Sequence, residues 1–181
     1  MGLGPAVRRR PSLWRQLDAA SRYAFPFGCT IFGLFLIGMP FGLPGQAELR
    51  PAYAIACVYF WSLYRPSSLP APLVALTGLL LDLGGLSPLG VWAVLLLMLQ
   101  GATLAARRRL VPMGFLLTWT VFASFAAAAV SLAWLAQSVL TLSLLPTAPL
   151  CMEISLAVGL YPAFAAFFIR AHRGPAAVEL A

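Results

Sequence analysis

The sequence contains no lysine: all twelve of its basic residues are arginine. A phosphate-binding P-loop needs a lysine that reaches the β- and γ-phosphates, so no ATP-driven step resides in this chain. Histidine is nearly absent as well. The one histidine, His172, stands between Arg170 and Arg173 in a basic tail, whereas a nucleophile needs a base within hydrogen-bond reach, and it reads as an interfacial cation. The three cysteines, Cys29, Cys57 and Cys151, fall in separate apolar segments with no CxxC spacing and no histidine nearby, which excludes a zinc site and leaves inert thiols. These absences together predict a protein that is not an enzyme and carries no cofactor or metal.

Charge of either sign is scarce, at 9% of residues, whereas 61% are hydrophobic and the mean hydropathy is +0.90. Both values lie far outside the globular norm. The stretches 83–106, 110–152 and 154–169 contain no Asp, Glu, Lys or Arg, and a membrane span needs roughly 20 apolar residues. The pattern predicts an all-α integral membrane protein of about six transmembrane helices. Its expected parts are a basic N-terminal segment over 1–22, one transmembrane domain over 23–169 and a C-terminal tail over 170–181. The N-terminal segment reads either as a short amphipathic helix carrying Trp14 and Leu17 or as a disordered basic tail. No clean small-residue cleavage site follows it, so the first span is read as uncleaved.

Prolines, glycines and charges divide the apolar chain. Span one is expected over 23–39, broken by Pro40, Gly42, Pro44 and Gly45 and followed by a polar connection over 46–50. Arg50 and Arg65 bound span two, and Arg65 and Asp82 bound span three, so each has at most about 16 uncharged residues, roughly 24 Å of helix against a core of about 30 Å. Either the bilayer thins there or protein shelters the charged ends. Span four begins after the turn over 82–90 and ends at Ala106, where Arg107, Arg108 and Arg109 stop it; span five is placed over 111–135, a connector over 137–147 and span six over 149–169.

With six spans, Arg8, Arg9, Arg10, Arg15, Arg22, Arg65, Arg107, Arg108, Arg109, Arg170 and Arg173 fall on one side and only Arg50 on the other. The positive-inside rule makes the rich side cytoplasmic, with both termini on it. A net charge of +7 distributed in this way marks orientation, and no exposed module is left to bind nucleic acid.

Among the acids, Asp82 and Glu153 are notable because each follows or interrupts an apolar run. A carboxylate at such depth either faces a partner, for which Arg50 is the available counter-charge, or marks the water boundary. The segment from Gly78 through Asp82, Gly84, Gly85, Ser87 and Pro88 to Gly90 specifies a shaped turn, in which Ser87 or Asp82 can cap the following helix.

These residues resemble the bacterial rod shape-determining protein family MreD. The matching features are Trp61 with Tyr64, Arg65 and Pro66 at the end of span two, Gly78 and Asp82 in span three, then Gly85, Pro88 and Gly90 before span four. The likeness is specific over 51–109 and compositional elsewhere. It implies a non-enzymatic scaffold or regulator of the cell-elongation and peptidoglycan-synthesis complex in the inner membrane, associated with MreC, MreB, RodA and a transpeptidase of the penicillin-binding class. It also implies a fold similar to the substrate-binding subunits of energy-coupling-factor transporters, and Trp61, Arg65, Pro66, Gly78, Asp82, Gly85, Pro88 and Gly90 become the expected interaction motif. The competing reading is a small-molecule, vitamin-like transporter subunit. That reading needs polar side chains converging inside the spans, where span four offers only Gln100 and Thr103. Span five adds Thr118, Thr120, Ser124 and Ser131, residues that usually bond to backbone or to neighbouring helices.

Overall fold

Glycine and proline set the helix limits in the computed structural model, which describes residues 27–40, 42, 44–85 and 87–178, with side chains through Ala166. The expected N-terminal segment over 1–22 and the side chain of His172 lie outside the described residues. Six helices follow one another: α1 (Phe27–Gly38), α2 (Gln46–Tyr64), α3 (Ala71–Gly84), α4 (Val91–Leu110), α5 (Phe115–Thr141) and α6 (Ala148–Val178), with a 3-10 turn at Pro66–Ser68. Gly45 and Gly90, at φ 78° and 97°, turn the chain into α2 and α4 through the left-handed region that side chains resist. Pro70 and Gly114, both extended, precede α3 and α5.

Helices Val91–Leu110, Phe115–Thr141 and Ala148–Ala166 are long and apolar enough to cross a membrane. Helix α3, at 14 residues, is about 21 Å long and falls short of a hydrocarbon core of about 30 Å.

Four expected boundaries are corrected. The polar connection over 46–50 is the opening of α2, because nothing between Gly45 and Pro51 breaks a helix. Pro51 sits inside that helix and deprives the carbonyl of Ala47 of its donor, which the exposure of Ala47 makes tolerable. Span five begins and ends later than expected, since Pro112 and Gly114 occupy the turn before it and the helix runs on to Thr141, which shortens the connector. At the C-terminal end, α6 continues through residues 170–178, so most of the expected tail is helical backbone.

The core is built around α2, in which every residue from 51 to 63 is buried. It packs on α3, α4, α5 and α6. It also holds α1 through Tyr53, whose hydroxyl donates to the Cys29 carbonyl at 2.9 Å and lies against Gly33. Tyr59 sits at the centre of an aromatic cluster, 5.0 Å from Phe122 and 5.5 Å from Tyr161 between ring centroids, and donates its hydroxyl proton to the Thr118 carbonyl at 3.0 Å. Phe122 and Tyr161 stack at 4.3 Å and thereby join α5 to α6. Thr77, Thr103, Thr118, Thr120 and Ser124 each donate to the carbonyl four residues earlier, which satisfies their hydroxyls within their own helices.

Candidate functional site

The turn between α3 and α4 is organised by Asp82, which is 2% exposed. Its Oδ1 accepts from the Ser87 hydroxyl at 3.0 Å and from the Trp92 amide at 3.2 Å, and its Oδ2 accepts from the Gly90 amide at 2.8 Å. Two of those donors are amides at the start of α4, which has no intrahelical acceptors for them, and the positive end of the helix favours a carboxylate there. Asp82 is therefore an internal cap that ties the end of α3 to the beginning of α4. Ser87 joins the same set, so the two residues expected as alternative caps act together.

Gly78 lies one turn before Asp82 on α3. A side chain there would run into the backbone of Ala93 and Trp92, so α3 and α4 touch main chain to main chain at this point. Small residues permit this approach where lipid supplies no hydrophobic driving force between helices. Gly85 is extended and would place a side chain 3.2 Å from the Leu81 carbonyl, whereas Gly90 needs glycine for its positive φ alone. Pro88 stands between them, and Leu83 and Leu89 project outward, 69% and 70% exposed.

The other expected residues occupy the opposite end of α3, about 21 Å away along its axis. Trp61 is fully buried against Phe60, with ring centroids 5.4 Å apart; Arg65 is exposed at the end of α2, and Pro66 opens the 3-10 turn. The motif thus maps to two places, with Gly78, Asp82, Gly85, Pro88 and Gly90 at one and Trp61, Arg65 and Pro66 at the other.

Arg50 does not pair with Asp82. Its Nη1 donates to the Gly84 carbonyl at 2.7 Å and its Nη2 to the Gly38 carbonyl at 3.0 Å, so one guanidinium bridges the C-terminal ends of α3 and α1. Gln46 assists by donating to the carbonyls of Ile37, at 2.7 Å, and Met39. At the far end Arg107 donates to the Leu63 carbonyl at 2.8 Å, and Gln100 to the Leu69 carbonyl at 2.7 Å. A cation at a helix C-terminus is favoured by the dipole. Sequence reasoning missed these four roles, and only the isolation of Arg50 from the other arginines hinted at one of them.

Glu153 is half-buried beside a cavity of about 90 Å³ shared with Trp134, Gln137 and Pro146. Its Oε1 has no hydrogen-bond partner among the described residues. Among the described residues no cluster of three metal-ligating side chains occurs, and Cys29, Cys57 and Cys151 are free thiols. The turn thus offers a fixed shape with an apolar outer edge. Comparison with protein-family models, curated proteins and solved structures returns no match for this chain.

Proposed function

We infer that the chain is a non-enzymatic subunit of the bacterial cell-elongation complex, a scaffold or regulator of peptidoglycan synthesis in the cytoplasmic membrane. In this reading it crosses the bilayer six times with both termini in the cytoplasm, resembles MreD and the fold of energy-coupling-factor substrate-binding subunits, and works beside MreC, MreB, RodA and a penicillin-binding transpeptidase. The observation that carries the reading is the motif running from Gly78 to Gly90 with Trp61, Arg65 and Pro66. Its geometry is consistent with docking: a backbone held by Asp82 and Gly90 displays Leu83 and Leu89 outward. Asp82, with three donors already bound, acts on a partner through the shape of that turn and makes no ion pair with it.

Six crossings account for the arginine distribution, and α1 and α3 are then short helices whose polar ends Arg50 and Asp82 keep hydrogen-bonded within the protein. The transporter alternative receives less support. The cavity of about 450 Å³ between α1 and α3 has apolar walls and one charged residue, Arg50, with no convergence of polar side chains among the described residues.

Co-purification in mild detergent tests the reading. MreC is expected to accompany the wild-type protein, and Leu89→Arg is expected to lose it at unchanged accumulation, because a charge on the exposed apolar edge spoils packing without touching the cap. Retention of MreC by Leu89→Arg would move the interface elsewhere, and absence of MreC from the wild-type preparation would sink the assignment. Membrane orientation is tested separately by placing single cysteines at 46, 87 and 107 in a cysteine-free background. Labelling of 107 from outside intact cells contradicts the orientation.

A further inference from the structure

The groove between α1 and α3 has a polar end and an apolar body. Arg50 lies at the polar end with Gly38 and Gly84, the last residues of α1 and α3. Ile31, Leu34 and Phe35 line the groove one to two turns further along α1, and Leu80 and Leu81 about one turn along α3. The mouth is open, since Phe35 is 68% and Leu80 41% exposed, and the enclosed volume is about 450 Å³. This is the size range of a ligand pocket.

A guanidinium has five N–H donors, and the structure uses two of them on Arg50, both on uncharged carbonyls. Its buried Nε has no hydrogen-bond partner among the described residues, and Arg50 forms no ion pair among them. The two helix C-termini supply partial negative charge, which orients the guanidinium, and besides the buried Nε one N–H on each terminal nitrogen remains for an acceptor. A cation held beside apolar walls at membrane depth is expected to face a counter-charge. Phosphate oxygens suit a planar fork of donors, and the walls suit a hydrocarbon chain.

We propose that this groove binds an anionic phospholipid, its phosphate on Arg50 and one acyl chain along Leu34, Phe35 and Leu80. The amphiphile matches the groove end for end. Binding at this place requires that the protein lie in a bilayer and is independent of the assembly it serves.

The test offers the purified full-length protein in mild detergent equal amounts of phosphatidylglycerol and phosphatidylcholine with identical acyl chains and measures retained lipid by native mass spectrometry. The wild-type protein is expected to retain phosphatidylglycerol about ten-fold over phosphatidylcholine, because both carry the phosphate but the quaternary ammonium of choline offsets its charge and repels Arg50, whereas the glycerol headgroup leaves a net anion. Arg50→Gln and Leu80→Trp are each expected to bring the ratio near one. Leu80→Trp fills the groove and leaves both carbonyl bonds of Arg50 in place, so it decides the matter even where Arg50→Gln unfolds the protein. An excess of inorganic phosphate should leave the retained lipid unchanged. Equal retention by the wild-type protein, a ratio that survives in Leu80→Trp, or displacement by inorganic phosphate alone overturns the proposal.

Discussion

Helices α2 and α5 invert the usual relation between apolar composition and burial. Helix α5 is a charge-free run of 27 residues, yet only seven of them are buried. Helix α2 carries Glu48 and Arg50 near its start and is not among the helices long and apolar enough to span, yet it is surrounded by protein. In water, an apolar helix seeks the core; in lipid, hydrocarbon is the outside solvent, and the centre of a bundle selects for packing. Tyr59 and Trp61 serve α2 because they fill space and lend hydroxyl or ring contacts to neighbouring helices.

The contrast is broken most forcefully by Trp61→Ala, which would empty the largest fully buried side chain among the described residues. It should cost about 4 kcal/mol and lower the midpoint of thermal unfolding in detergent well below that of any apolar truncation on α5. A normal midpoint would mean that α2 is not the packed centre. Leu132→Asp sharpens the lipid side: Leu132 is 44% exposed near the middle of α5, and an aspartate there should cost about 3 kcal/mol on insertion, seen as loss of membrane-integrated protein. Undiminished integration would place that face against water. Asp82→Asn removes the charge from the α4 cap while keeping its shape, with an expected loss of about 2 kcal/mol measured by the same unfolding assay. If stability were unchanged, the three donors around Asp82 would contribute nothing as a cap. Leu132→Ala should shift stability by less than about 0.5 kcal/mol, because lipid replaces the lost contacts, and a larger drop would reveal packing on that face.

The parts that sequence made legible share a cause. Helices α4, α5 and α6 announce themselves through unbroken apolar runs, and the capped turn through Asp82, Ser87, Pro88 and Gly90, because those residue types act locally. The hydroxyls of Thr118, Thr120 and Ser124 bond to their own helix, the nearer of the two kinds of partner that sequence leaves open. Arg50 was legible as a lone charge but not as a bridge, since its acceptors are main-chain carbonyls and a carbonyl leaves no mark on sequence. For the same reason Arg107 reads as a signpost of orientation, although it also holds the end of α2. The polar stretch before Pro51 looks like a loop because composition there reports exposure, while the backbone is already helical.

The joining of α3 to α4 bears on how the chain enters the bilayer during synthesis. On its own, α3 offers the insertion machinery a segment of 14 residues that ends near a carboxylate whose donors, Ser87, Gly90 and Trp92, have not yet emerged. Such a segment partitions poorly, whereas α4 is long and apolar enough to be accepted. In the six-span arrangement α3 is therefore expected to wait at the membrane entrance until α4 is made and to enter with it as a preassembled hairpin, its charge already covered.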